Sequence, residues 1–461
     1  MKENIMYFKK IETEGLAHFS YMTGDEDDIA VIDPMRDVQI YMHEARKEGL
    51  RIKYILETHR NEDFITGSME LAEKTGATIY ISDHEDLGHV YGERIRDGFQ
   101  LDIGKITIKA IHTPGHTLGH MSFAVYEKGL EKAYLVFTGD SLFMGDLGRT
   151  DFYGEKNLIK MTELQYESVF EKLLTLGDHV LVCPAHGSGS ACGESMDKRP
   201  YSSIGYEKLT NKLLQFSTRK AFIKSFARMR IKPRYFERME ELNVKGAGFV
   251  GNEVVLNVLT VDEVAQMKDD VLLIDARTKE GFIGGHIPGS IFLHKENLTA
   301  FLGSIYLPDD KLAFVIEGKA GEMEEIYWYC KRIGFDNIVG YLPEGIEMWM
   351  KKGNEVGQLE TISAKGYKDM PKRDDFILLD IRDENEVQTK DPDKNLIHIP
   401  LKILYKSLDK LDKKKTVYVL CSSGNRATTA SAYLEGKGYH AVVITGGAGM
   451  YRNLAGKDDL H

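Results

Sequence analysis

The chain has 461 residues, a length that suggests about three domains, with 42% hydrophobic and 28% charged residues. Its net charge of −11 argues against nucleic acid as the main partner, because phosphate binding needs a positive surface. No run of about 18 apolar residues points to a membrane span, and MKENIMYFKK at the N-terminus lacks the apolar stretch of a signal peptide. Four scattered cysteines make no disulfide framework, so a reducing, cytoplasmic setting is expected.

In chain order, residues 1 to about 190 alternate short apolar runs with polar turns. Four runs, Ile52–Leu56, Ile106–Ile111, Tyr134–Phe137 and Val180–Cys183, are predicted strands. Each leads at once into a loop holding His or Asp: ETHRNED, HTPGH, TGDS and PAHG. Side chains at the ends of neighbouring strands can converge on one point. Helices are expected between them, over Val38–Glu48 and Asn157–Leu174. From about 205 to 242 the pattern is helical, with Leu209, Leu213 and Phe216 spaced as one buried face. "NVKGAGFVGNE" (243–253) is glycine-rich and reads as a linker.

The remaining residues contain a repeat. "VLLIDARTKE" (271–280) matches "ILLDIRDENE" (377–386), "HIPGS" (286–290) matches "HIPLK" (398–402), and "FVIEGKAGE" (314–322) matches "YVLCSSGNR" (418–426). "GFDNIVGYLPEGIEMW" (334–349) echoes "GYHAVVITGGAGMY" (438–451). Two α/β domains of about 100 residues, with mainly parallel sheets, are expected.

The N-terminal loops resemble the metallo-β-lactamase superfamily; "HTPGHTLGH" and "FTGDSLF" resemble its glyoxalase II and persulfide dioxygenase branch. The resemblance implies an αββα sandwich and a pattern H-x-H-x-D-H where this chain has His59-Arg60-Asn61-Glu62-Asp63-Phe64. Asn61 and Phe64 therefore remove one histidine from each site of a two-metal hydrolase. His59, His116 and Asp140 remain, the three ligands that persulfide dioxygenases use. Two imidazoles and one carboxylate suit non-haem Fe(II), one per chain, with open positions for substrate and oxygen. Asp63, His186, His112 and His120 are expected to support the ligands rather than bind metal, since a ligand imidazole needs a partner for its other nitrogen. Arg149 is expected in an internal ion pair. Cys192, in the small-residue stretch "HGSGSACG", is either a buried inert thiol or a catalytic thiol carrying sulfur beside the iron. "KRPYSSIGYEK" (198–208) is a candidate lid or pocket segment.

In the second repeat, Cys421 ends an apolar run, and Arg426 stands where a helix begins. This resembles the rhodanese family, whose catalytic cysteine lies in a six-residue loop. A helix N-terminus and converging backbone N–H groups favour a thiolate or an outer persulfide anion there, and Arg426 adds a cation. Leu420 stands where a phosphatase loop has histidine, which favours sulfur over phosphate. The alignment places Glu317 of the first repeat at the position of Cys421 and so marks that repeat as inactive.

The order resembles bacterial persulfide dioxygenase–rhodanese fusions: a metallo-β-lactamase-like domain over 1–245, an inactive rhodanese-like domain over 254–355 and an active one over 360–461. It implies oxidation of a small-molecule persulfide by O₂ to sulfite, then sulfur transfer from Cys421 giving thiosulfate, in a homo-oligomer (dimer or tetramer). One rival is a glyoxalase II-like zinc thioester hydrolase fused to a sulfurtransferase. Another is a non-catalytic sulfur carrier in which only Cys421 works.

Overall fold

Alternating burial sets the strands of the N-terminal unit. In Ile106–His112, Ile106, Ile108 and Ala110 are buried while Thr107 and Lys109 are less so, as period-two side-chain alternation requires. The computed structural model describes residues 6–251, 254, 256–267, 270–318, 320–371, 373–387 and 393–450. The end of the expected linker (252–253) and the last residue of the repeat match, Tyr451, lie outside these. Among the described residues no helix is long and apolar enough to cross a membrane.

The chain divides into two compact units, one comprising residues 1–230 and 236–252, the other 231–235 and 253–461. The first holds two six-stranded sheets. One runs Tyr7–Thr13, His18–Asp25, Asp28–Ile32, Arg51–Leu56, Thr78–Ser82, Glu93–Ile95; the other runs Ser202–Ser203, Leu181–Pro184, Ala133–Gly139, Met121–Glu127, Ile106–His112, Gln100–Ile103. Tyr21, Ala30, Ile32 and Leu56 of the first sheet meet Ile108, Phe123, Leu135 and Phe137 of the second in one core. The opposite face of the second sheet, through Val136 and Val182, packs on Val169, Leu173, Phe222 and Phe226. Helices Gln39–Glu48 and Ser68–Thr75 cover the other sheet. The result is the expected αββα sandwich.

The expected helical face at Leu209, Leu213 and Phe216 does not form. Helix Ile204–Thr210 stops at Asn211, whose side chain instead accepts from Leu213 N–H and starts a short 3₁₀ turn. Leu209 is left 78% exposed. The helical segment expected over Asn157–Leu174 is present, as helix Glu155–Tyr166 followed by a π-helical stretch over Glu167–Lys172 and a 3₁₀ turn over Leu173–Thr175.

The second unit contains two parallel sheets. The first repeat orders its strands Ile291–Phe292, Val271–Asp275, Lys311–Val315, Ile338–Leu342; the second orders Glu360–Ser363, Ala441–Thr445, Thr416–Leu420, Phe376–Asp380, Leu396–His398. The repeats superpose one residue away from the sequence match. Val315 pairs with Asp275 as Leu420 pairs with Asp380, and helices begin at Ala320 and Asn425. Ile316, not Glu317, therefore takes the place of Cys421. The shift arose because the neighbouring apolar strands align almost equally well in either register.

Candidate metal centre and sulfur-transfer loop

Strands Arg51–Leu56, Ile106–His112, Ala133–Gly139 and Leu181–Pro184 all end on one edge of the sandwich, and Met121 N–H donates to Thr58 O across it (2.7 Å). The loops that follow bring His59, His116, Asp140 and His186 together, each fully or almost fully buried. Gly139 sits at φ +50, and a Cβ there would lie 2.5 Å from His120 Nε2 and 2.7 Å from Thr58 Oγ1. Only glycine lets the strand end pass so close to both.

The hydrogen bonds settle which ring nitrogen faces the pocket. Thr58 Oγ1 donates to Asp33 Oδ2 (2.8 Å), so it accepts from His59 Nδ1 (2.9 Å). His116 Nδ1 lies 2.9 Å from the carbonyl oxygen of Arg149, which can only accept. Both imidazoles thus carry their proton on Nδ1 and turn an Nε2 lone pair inward. His186 Nδ1 donates to Asp140 Oδ1 (2.7 Å), which leaves Oδ2 to face the pocket. That Oδ2 is 3.4 Å from His116 Nε2 and 3.9 Å from His59 Nε2, whose rings stand nearly perpendicular (82°). None of these three pocket-facing atoms has a hydrogen-bond partner among the described residues. Buried polar atoms left this way are costly unless something binds them, and two imidazoles with a carboxylate are a donor set that fits a divalent transition metal.

Electrostatics follow the same geometry. Burial opposes charge on His186, but Asp140 and Asp63 outweigh it and push its pKa well up. Burial would raise the Asp140 carboxyl, yet His186 and then His116 and His59 bring it down. Burial pushes His59 well down. It also lowers His120 to about 3; His120 Nε2 accepts from Asp140 N–H (3.0 Å), so its role is to hold the aspartate backbone. Asp33, beneath Thr58, is pushed up to about 7 by burial.

The structure also places a residue that the sequence search passed over. Glu62 is fully buried, with Oε2 3.3 Å from His116 Nε2 and 3.7 Å from His59 Nε2. Its signal in the sequence is the Asn61-Glu62 pair itself, a carboxylate at the variable position next to the missing histidine. Asn243 is a second such residue. Its Nδ2 donates to the carbonyls of Asn61 (2.8 Å) and Phe64 (2.7 Å), clamping the loop from the stretch expected to begin a linker. Phe64 is buried with its ring 4.2 Å from that of His18 and 6.3 Å from that of His186.

The donor atoms of Asp63, His186 and Cys192 lie within 4.8 Å of one another, and those of His116, Asp140 and Cys192 do likewise. Burial, then Asp63 and Asp140, push the Cys192 thiol well up. Arg149 forms its internal pair with Asp151 (2.7 and 2.8 Å). His112 Nε2 donates to Leu118 O (2.8 Å), and the ring stacks on His84 at 3.7 Å. A cleft of about 530 Å³ reaches His186 and is lined by Lys10, Phe19, Lys198, Arg199 and Pro200, so the segment after Cys192 does wall a pocket.

In the second unit, strand Thr416–Leu420 delivers Cys421 to the start of helix Asn425–Gly436. Cys421 is buried, and its Sγ accepts from the N–H groups of Gly424 (3.0 Å) and Ala427 (3.4 Å). Arg426 does not stand free. Glu386 binds it through both carboxylate oxygens and also accepts from Ser422 Oγ (2.7 Å). The first repeat reaches this loop too: Lys279 Nζ donates to Ser423 O (3.0 Å), and Thr429 Oγ1 donates to Phe292 O (2.8 Å).

Residues 13–186 match the metallo-β-lactamase superfamily, and residues 260–352 and 363–451 each match the rhodanese-like domain. The chain joins a metallo-β-lactamase-fold domain to two rhodanese-like domains. Hydroxyacylglutathione hydrolase GloC of Haemophilus influenzae is 29% identical over 216 residues, 42% of this chain and 91% of that protein. The mitochondrial persulfide dioxygenase ETHE1 of Homo sapiens is 33% identical over 176 residues, 36% of this chain and 63% of that protein. Among solved structures, a metallo-β-lactamase from Staphylococcus aureus subsp. aureus COL aligns with a TM-score of 0.66 at 28% identity, over 74% of this chain and 99% of that one. In the first rhodanese-like domain the structural equivalents of Cys421, Arg426 and Glu386 are Ile316, Gly321 and Gly281. That domain holds neither the thiol nor the ion pair.

Proposed function

We propose that the metallo-β-lactamase-fold domain is an iron-dependent persulfide dioxygenase and that the second rhodanese-like domain is its sulfurtransferase partner. The supporting observation is the convergence of His59 Nε2, His116 Nε2 and Asp140 Oδ2 on one buried pocket, in a loop where Asn61 and Phe64 replace the histidines that complete hydrolase sites. His59, His116 and Asp140 would hold one Fe(II). When bound, ferrous iron supplies the electron exchange that lets ground-state O₂ react with a sulfur anion. The chain supplies the rest. Thr58 and the Arg149 carbonyl orient both ligand imidazoles with Nδ1 as donor and Nε2 inward, and His186 and His120 fix Asp140. The cleft beside His186 admits the substrate.

The net reaction balances as RSSH + O₂ + H₂O giving RSH and sulfite with two protons released. Cys421, loaded as a persulfide, is then attacked at its outer sulfur by sulfite. The S–S bond breaks, thiosulfate leaves, and the electron pair returns to Cys421 as a thiolate held by Gly424 and Ala427 N–H. Cys192 stands beside the site, its donor atom within 4.8 Å of those of His116 and Asp140 and of those of Asp63 and His186.

A glyoxalase II-like thioester hydrolase is the alternative, favoured by the similarity to GloC and by the Asp63–His186–Cys192 cluster, which could take a second ion such as zinc. Two variants separate the centres. His116→Ala should abolish O₂ uptake with a persulfide while leaving thiosulfate:cyanide transfer intact, and Cys421→Ser should do the reverse. Loss of both activities in either variant, in protein that remains folded, would contradict two independent centres.

A further inference from the structure

We infer that Glu62 is a fourth protein ligand of the metal, taking the place of the histidine that Asn61 has removed; this rests on the metal site proposed above. Glu62 is fully buried, yet neither of its oxygens accepts a hydrogen bond among the described residues. Oε1 faces Arg60 Nη2 at 3.5 Å, which turns Oε2 toward the pocket. There it meets His116 Nε2 at 3.3 Å and His59 Nε2 at 3.7 Å, while Asp140 Oδ2 approaches the same His116 nitrogen at 3.4 Å. Two carboxylate oxygens, Glu62 Oε2 and Asp140 Oδ2, aimed at one buried point and accepting no hydrogen bond among the described residues, are strongly unfavourable unless a cation lies between. Asn61 has its backbone carbonyl held by Asn243 and its side-chain Nδ2 turned back to His59 O (3.4 Å), and its neutral amide oxygen is a weaker donor to a cation than the Glu62 carboxylate.

The consequence is a set of two imidazoles and two carboxylates. Their two negative charges balance a divalent ion. With Glu62 as well as His59, His116 and Asp140 holding it, a bound ion would have fewer positions left for substrate than with three protein ligands. A second hard oxygen donor also favours Fe(II) or Mn(II) over zinc relative to a site with more imidazoles.

The test uses the full-length protein, freed of metal and reloaded without oxygen. Fe(II) affinity is measured by competition with a chromophoric chelator, and the visible spectrum of the Co(II)-loaded protein reports coordination. Glu62→Gln, which keeps size and removes charge, should weaken Fe(II) at least as much as losing a partner of a ligand does, about 10–100-fold, and should change the Co(II) bands. The double variant Asn61→His with Glu62→Ala should regain affinity and guards against a fold defect in the single variant. Unchanged affinity and an unchanged spectrum in Glu62→Gln would overturn the inference. His116→Ala is the control: if it loses metal while Glu62→Gln does not, only Glu62 is misassigned, whereas if both retain metal the site itself is misplaced.

Discussion

Single side chains set the chemistry of both centres through what holds their far ends. Thr58, Arg149 and His186 matter because they decide which atom of His59, His116 and Asp140 is left to face inward. At the sulfur-transfer loop the same logic applies to Glu386. Its carboxyl falls from 4.5 to about 2, burial resisting the change and the Arg426 and Ser422 hydrogen bonds outweighing it. A depressed carboxylate contributes stability that is complete above its unfolded value and is lost as pH falls through its folded one. The Glu386–Arg426 pair should therefore stabilise the second rhodanese-like domain in full above about pH 4.5 and fade toward pH 2. Thermal melts of Glu386→Gln against the natural protein check this: the gap should be widest near neutrality and close on acidification. A constant gap across that range would mean the pair contributes through packing alone. Arg426 was expected to add a fixed cation beside the outer anion; in the structure its guanidinium pairs with both carboxylate oxygens of Glu386.

At the scale of elements, the metal site depends on strand ends that stop in register. Gly139 shows how tight that register is. Gly139→Ala would force a Cβ into His120 and Thr58 at positive φ, a conformation whose strain alone costs about 1–3 kcal/mol. It should lower the melting temperature and the metal affinity together. Gly129→Ala, also at positive φ but with nothing within 4 Å, should cost only the strain and leave metal binding unchanged. Equal loss of metal affinity in both would argue against the contact.

The strands that carry this site were legible because each apolar run breaks off into a polar loop, a pattern that needs no tertiary information. The helices after residue 204 were less so. Apolar spacing at Leu209, Leu213 and Phe216 looked continuous, but the Asn211 cap ends the helix first. Glu62 was missed because the loop was searched for imidazoles. Glu386 and Lys279 were missed because their partners lie 40 and 144 residues away in sequence.

For the whole molecule, domain order and chemistry support each other: one fold positions a cluster suited to a divalent ion, and another positions a thiol that accepts from the N–H groups of Gly424 and Ala427. The first rhodanese-like domain touches the second. Lys279 and Phe292 contact the loop and helix of the second, and helix Asn425–Gly436 is buried along Ala427–Leu434. The first domain has Ile316 where the second has Cys421. The central claim is that His59, His116 and Asp140 make an oxygen-activating iron site. The measurement that tests it most directly is metal content and O₂ consumption in full-length protein purified without oxygen, supplied with a low-molecular-weight persulfide. The account predicts about one iron per chain and sulfite formed in proportion to the O₂ consumed. Two zinc ions per chain with thioester hydrolysis and no oxygen uptake would contradict it.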